Sequence, residues 1–292
     1  IEPKVPDGSP FPIQSLVADI TSAQKCVDLV SSKPDVIFHL AAIVSGEAES
    51  DFDKGYRVNL DGTRNLFEAI RALSDYCPRV VYTSTAAVYG GPYPDDAGDD
   101  FILQPSTSYG TQKAIGELLL NDYSRRGFLD GIGLRLPTIC VRPGKPNAAA
   151  SGVFSNIIRE PLVGVETTLM VSKNVSMVFA SPRSAVGFLI HAAQLDTKQL
   201  GTHRSMMMPG VHATIGEEIE ALHRVAGAKV LSFIKEVPID TFAQKMVDAW
   251  NFPPFPATRA RSLGFTCEQT FDELIHLHIE SELDGKIPGQ NA

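Results

Sequence analysis

The strongest constraint on the fold of this chain is an alternation of strand-length apolar runs with stretches of helical spacing. Val36–Leu40, Val80–Thr83 and Ile132–Leu136 are short and rich in β-branched residues, and each has the length of a buried strand. Helical stretches lie between them, around Ser22–Ser31, Asp53–Leu73 and Thr107–Arg126. In the last of these, Ile115, Leu118, Leu119 and Asp122 recur at helical spacing, and the apolar members are expected to form one face. Strands joined through helices pair in parallel, with helices covering both faces of the sheet. The expected fold is therefore α/β, a doubly wound parallel sheet, with a smaller lobe toward the C-terminus.

The rhythm loosens after Arg142, where residues 142–152 (RPGKPNAAASG) read as a loop. Beyond it the pattern predicts a helix near Val153–Arg159, a strand near Val175–Phe179 and a helix over Ser184–Gln194. Thr214 is a candidate N-cap for a helix reaching Ala226, with Glu217 at the capping-box position. Thr270 and Glu273 repeat that spacing before an amphipathic helix ending at Leu283. A short strand is also expected at Leu16–Ala18. The net charge of −8 argues against nucleic acid or an anionic membrane surface as the main partner. The apolar runs are too short to span a bilayer. Cys26, Cys77, Cys140 and Cys267 show no metal-ligand spacing, and the reading is buried free thiols in a reducing cytoplasm. No metal site is expected.

Four segments carry candidate chemistry. HLAAIVSG (39–46) ends a strand in small residues, so a flat cofactor could lie against the backbone of Leu40, Ala41 and Ala42. VVYTSTAAVYG (80–90) runs into the hydroxyls of Thr83, Ser84 and Thr85. Ligands of open parallel sheets bind at that edge, although hydroxyls there also cap turns. SYGTQK (108–113) puts Tyr109 and Lys113 four residues apart, on one face of a helix. A phenol titrates near ~10, and a neighbouring ammonium favours its ionised form. Bare Tyr-x-x-x-Lys spacing is usually an exposed helix face. Its position 24 residues after Thr85, at a helix start, is what gives it weight. LRLPTICVRPG (134–144) ends another strand at Pro137, Thr138 and Ile139, whose backbone could meet a carboxamide.

In their order, these segments resemble the extended short-chain dehydrogenase/reductases, the superfamily of nucleotide-sugar epimerases and dehydratases. The resemblance implies a Rossmann domain over about residues 1–140, joined by segments from about 170–210, and a substrate lobe formed mainly by 141–292. It also implies NAD as cofactor, with NADP left open. VADI (17–20) resembles the adenine-contacting turn, which implies Asp19 and Ile20 as cofactor neighbours. Thr85, helped by Ser84, matches the substrate-orienting hydroxyl. Tyr109 matches the acid/base, and Lys113 the ribose-binding residue that tunes the phenol. Asn59, in VNLDGTRNL, matches a helix position that supports the site. No G-x-G-x-x-G phosphate loop occurs in the sequence. The first βαβ segment, roughly 30–40 residues with the acid that selects the cofactor, is expected to precede Ile1.

The longer strings HLAAIVSGEAE, SYGTQKAIGELLL and IGLRLPTICVRPGKPNAAASGVFSNIIREPL resemble the D-erythronate dehydrogenases. That family oxidises the C2 hydroxyl of a four-carbon sugar acid to 2-oxo-tetronate. Such a substrate needs a cation or several donors beside its carboxylate, and a bidentate guanidinium fits best. Arg183, read as lying just before a helix, is the first candidate and Arg142 the second, with Ser45 and Thr138 as further donors. A dehydratase would carry Asp-Glu after its catalytic Thr, whereas Ala86 and Ala87 follow Thr85. A nucleotide-sugar epimerase and a non-catalytic NAD(P)-binding protein remain as alternatives. A homodimer through the helices over 53–73 and 107–126 is also implied by the resemblance.

Overall fold

The structure is a computed structural model that describes residues 8–94, 97–144, 151–248 and 251–290. The strands are β1 (Val36–His39), β2 (Arg79–Thr85), β3 (Asp130–Leu136), β4 (Thr138–Ile139), β5 (Thr167–Leu169), β6 (Ser176–Ala180), β7 (Ser205–Met207), β8 (Val211–Thr214) and β9 (Ile234–Glu236). The helices are α1 (Ala23–Val30), α2 (Ser45–Ser50), α3 (Phe52–Gly55), α4 (Gly62–Arg71), α5 (Ser108–Arg125) and α6 (Gly152–Leu162). They continue with α7 (Pro182–Gln194), α8 (Ile215–Ala226), α9 (Ala228–Leu231), α10 (Thr241–Asp248), α11 (Thr258–Ser262) and α12 (Phe271–Glu282).

The main sheet has the order β1-β2-β3-β7, and every pair is parallel. One face is covered by α1, α4 and α5: Cys26, Val30, Phe67, Ile70 and Leu120 pack on Val80 and Tyr82. The other face is covered by α7, where Phe188 joins the core that includes Val81, Ile132 and Leu134. Helices on both faces and an all-parallel sheet make the fold α/β and Rossmann-like, as the alternation predicts. The second sheet, β4-β6-β8, pairs β4 parallel and β8 antiparallel with β6. It packs with α6, α8 and α12 into the C-terminal lobe, together with the small β5-β9 sheet. The chain returns from this lobe through α7 and β7 to the parallel sheet.

Several expectations are corrected. Leu16–Ala18 forms no strand, because among the described residues nothing pairs with it. Val36 and Phe38 are exposed, so β1 is buried only on the side of Ile37 and His39. The helix expected over 53–73 is α3 and α4 joined by a π-helical turn, Tyr56–Asp61. On α5 the apolar face is not the buried one: Leu118 is 65% exposed, while Gln112, Lys113, Gly116 and Glu117 face inward. A Cβ at Gly116 would collide with the Tyr82 hydroxyl, so the close helix–sheet approach selects small and polar residues there. Cys77 is exposed and Cys267 half-buried, so only Cys26 and Cys140 are buried thiols. Of the loop read over 142–152, residues 145–150 lie outside the described residues. The caps at Thr214 and Thr270 form as predicted. Thr214 and Glu217 make the full reciprocal box, while Glu273 reaches the Gln269 N–H instead of that of Thr270.

Candidate active site

The carboxyl ends of β1, β2 and β3 open onto a cavity of about 440 Å³. Leu40, Ala42, Val44 and Ser45 form one wall, following β1. Thr83, Ser84, Thr85, Ala86 and Ala87 come from the end of β2 and the turn after it, and Tyr109 and Lys113 from the first turns of α5. Leu136, Pro137, Thr138 and Ile139 follow β3, while Arg142, Ser151, Met177, Leu189 and Phe252 close the lobe side. This is the edge where open parallel sheets bind ligands.

Local sequence explains why α5 starts there. Thr107 is its N-cap, and its hydroxyl accepts from the Gly110 N–H at 3.1 Å. The cap places Tyr109 in the first turn and Lys113 one turn on. Gly110 packs so tightly that a Cβ would strike the Ala87 carbonyl. Tyr109 and Lys113 are therefore held against the turn that follows Thr85.

Lys113 is 2% exposed. Its Nζ donates to the Thr83 carbonyl at 2.8 Å and lies 4.8 Å from the centroid of the Tyr82 ring and 5.9 Å from that of Tyr109. Burial pulls its pKa down to about 8, against the opposing charge of Glu117. Desolvation pushes the Tyr109 phenol up to about 12. Thr85 Oγ1 accepts from the Ala87 N–H at 3.1 Å, capping a short 3₁₀ turn, and still lines the cavity. The turn-capping and the cavity-lining readings both describe it.

Ser84 differs from expectation. It lines the cavity, but its hydroxyl donates to the buried carboxylate of Glu117 and is held in that internal bond. Thr83 Oγ1 donates to the His39 carbonyl at 3.0 Å and ties β2 to β1. Asn59 lies in the π-helical turn. Its side chain accepts from the Ile43 N–H at 2.9 Å and donates to the Ile43 carbonyl at 3.1 Å and to Gln112 at 2.8 Å. It clamps the segment behind Ala42 onto α5 without lining the cavity. His39 is neutral, its pKa lowered to about 3 first by burial and then by Lys113. Its Nε2 pairs with Thr63 at 2.9 Å, and Thr63 Oγ1 donates to the Asn59 carbonyl.

Asp19, Ile20 and Ala41 do not line this cavity. Asp19 accepts from the Thr21 N–H at 2.9 Å, which holds its carboxyl below the usual range. Asn65 fixes Ile20 and Thr21 by their carbonyls. Arg183 is brought elsewhere. It sits in the first turn of α7, not before it, with a side chain 61% exposed, and pairs with Glu280 at 3.2 Å. The helix starts early because Ser181 caps it and Pro182 suits the first helical position. Arg142 does line the cavity, half-buried, with Nη2 donating to Ser151 Oγ at 3.5 Å. Its backbone is fixed on both sides, by Ser155 accepting from its N–H at 3.1 Å and by Arg159 donating to its carbonyl at 2.8 Å.

The model of the NAD dependent epimerase/dehydratase family matches residues 5–199. The chain belongs to this family. Within it, the chain is 46% identical over 271 residues to a D-erythronate dehydrogenase of Cupriavidus necator, covering 92% of this chain and 82% of that protein. A D-erythronate dehydrogenase of Haemophilus influenzae is 41% identical over 256 residues, 88% of this chain and 80% of its own length. Among solved structures, one described as a nucleoside-diphosphate-sugar epimerase from Agrobacterium tumefaciens superposes with a TM-score of 0.94 at 57% identity. The match covers 98% of this chain and 84% of that one.

In this family member the lining residues that sequence reasoning did not place in the site are Val44, Ala86, Ala87, Leu136, Ser151, Met177, Leu189 and Phe252. Ser151 follows a stretch read only as loop, and Phe252 lies in the Pro-rich NFPPFP, so neither carried a local signal. Glu117 and Arg135, buried behind the cavity, did carry one. Arg135 interrupts the apolar run IGLRL, and Glu117 repeats the four-residue spacing of Tyr109 and Lys113.

Proposed function

We propose that this chain is an NAD-dependent dehydrogenase that oxidises the C2 hydroxyl of D-erythronate to 2-oxo-tetronate. The observation that carries the reading is the convergence of Thr85, Tyr109, Lys113 and Arg142 on one cavity. Identities of 46% and 41% to D-erythronate dehydrogenases support it. The residues present fit a dinucleotide's nicotinamide end. The Lys113 ammonium has three hydrogens and, among the described residues, donates to one acceptor, Thr83 O. The small wall at Ala42 and the backbone of Pro137–Ile139 flank it at the sheet edge.

A bound NAD would supply the two-electron oxidant for the C2–H bond, held by Lys113 and the walls at Ala42 and Pro137–Ile139. The chain's own residues handle the proton. Tyr109 in its phenolate form accepts the C2 hydroxyl proton, while Thr85 fixes the reacting oxygen. Lys113 favours that phenolate by charge and offers its remaining hydrogens to the cofactor ribose. Arg142 takes the substrate carboxylate, since among the described residues it has no carboxylate partner of its own, and Ser45 and Thr138 add donors for the hydroxyls. The side chains of Ser84 and Asn59 act through the residues they hold.

An epimerase is the second reading, favoured by the description of the Agrobacterium tumefaciens structure. A nucleotide sugar brings a diphosphate to be neutralised, and the cavity's cations are Lys113, bonded to Thr83, and Arg142. That supply suits one carboxylate better. Full-length protein given NAD and D-erythronate should form NADH with one equivalent of oxidised acid. Interconversion of nucleotide sugars without net NADH would replace this reading with the epimerase.

A homodimer and a cytoplasmic setting complete the proposal. The exposed Leu118 on α5 and Phe52 on α3, 65% and 58% accessible, support an apolar contact between copies. The four cysteines stand as separate free thiols, as suits a reducing compartment. No helix among the described residues is long and apolar enough to cross a membrane.

A further inference from the structure

Beneath the cavity lies an ion pair with no part in the chemistry described so far. The side chains of Glu117 and Arg135 are 4% and 10% exposed. Arg135 Nη2 donates to Glu117 Oε2 at 2.8 Å, and its Nε reaches both carboxylate oxygens at 3.1 Å. Ser84 donates to Glu117 Oε1, and Arg135 Nη1 donates to the Tyr89 hydroxyl at 2.6 Å. Buried pairs of this kind are often no more stabilising than apolar packing of the same volume. Stability alone is a weak reason for one here.

The placement suggests another reason. Ser84 precedes Thr85 at the end of β2, Glu117 is one turn after Lys113 on α5, and Arg135 precedes Leu136 and Pro137 at the end of β3. One carboxylate joins the three elements that carry the reacting wall.

We infer that Glu117 is a positioning residue for Lys113. Its carboxylate fixes α5 against the ends of β2 and β3 and supplies the negative charge that keeps the buried lysine an ammonium. The inference rests on the dehydrogenase reading for its kinetic consequences and on geometry for the rest. The groups around Lys113 leave Glu117 as the only anionic source among the described residues. His39 from β1 is neutral, Tyr82 from β2 and Tyr109 from α5 are un-ionised phenols with raised pKa values, and Arg135 from β3 is a cation. Glu117 is the charge that opposes the desolvation of Lys113.

The test uses full-length Glu117→Gln, the double variant Glu117→Gln/Arg135→Met, and Ser84→Ala. The double variant removes the cation that the single one would strand, and neutral replacement of a buried pair is generally tolerated. The ¹⁵Nζ resonance of Lys113 is titrated without NAD, and kcat is measured against pH with D-erythronate. Loss of the carboxylate should lower the Lys113 pKa by about one unit, a tenfold loss of proton affinity. The alkaline limb of kcat should move down by the same amount. Ser84→Ala keeps the charge and should leave that titration in place while lowering kcat about tenfold through misplacement. An unmoved Lys113 titration in a folded Glu117 variant overturns the inference, whatever happens to the rate. Failure of the wild type to oxidise any hydroxy acid sinks the dehydrogenase reading instead, and the cofactor-free titration still decides this one.

Discussion

At the residue scale, the proposed mechanism gives proton transfer and substrate holding to different side chains. Tyr109 shares the cavity with Thr85 and Lys113, and its phenol is pushed up to about 12 before any cofactor charge acts on it. Tyr109→Phe should therefore lower kcat by at least ~100-fold, the scale of a lost general base, with NAD affinity nearly kept. Steady-state rates and calorimetry check it, and retention of most of the wild-type kcat would remove the phenol from the mechanism. Arg142→Met should cost about 2–4 kcal/mol in kcat/KM for D-erythronate and little for its uncharged alcohol analogue. Arg183→Met makes the control. Its guanidinium is exposed and paired with Glu280, so the acid and the alcohol should both react as in wild type. Equal losses for acid and alcohol in the Arg142 variant would mean that the guanidinium shapes the pocket without binding the carboxylate.

At the scale of elements, α8 carries an unusual group. Glu218 is fully buried, and neither carboxylate oxygen has a hydrogen-bond partner among the described residues. Burial raises its pKa well above the ordinary carboxylate value. The folded state therefore holds a proton that the unfolded chain releases near the ordinary value of about 4.3. The stability that proton contributes is complete below the unfolded pKa and falls as pH rises toward the folded one. Relative to Glu218→Gln, the wild type should lose stability between pH 5 and pH 8, by at most about 1.4 kcal/mol per pH unit. Urea unfolding at both pH values measures it, and a parallel pH dependence in the two proteins would show Glu218 ionised in the fold.

The same scale shows what was legible in the sequence. The first three strands, the start of α5 and the caps of α8 and α12 were readable because each is set by local periodicity or a short side-chain-to-backbone bond. The ends of those elements then located Ala42, Thr85, Tyr109 and Pro137 together. The inward face of α5 was not legible, because its contact with Tyr82 demands glycine and buried polar groups in place of an apolar stripe. Arg183 was misplaced for a similar reason. Its local motif fixes a helix start, but its partner Glu280 lies on α12, 97 residues further along the chain, where no local pattern points to it.

At the scale of the whole molecule, the exposed Leu118 lies on α5, in the helical layer that covers one face of the main sheet, and the exposed Phe52 on α3, which packs against α5. If that layer meets a second copy, Leu118→Glu should convert a dimer to a monomer with thermal unfolding little changed. Size-exclusion chromatography with light scattering reads the mass, and a wild type that is already monomeric ends the proposal.

Arg142 and Ser151 belong to the lobe, after the last strand of the main sheet's central pair, whereas Thr85, Tyr109 and Lys113 are mounted on that sheet and on α5, one of the helices that cover it. Under the proposed roles, reactor and selector are separate parts bolted across one opening. A change of fuel can be made by exchanging the selector alone, so descendants of this chain with new substrates should differ around positions 142 and 151 while the reactor is handed down unaltered.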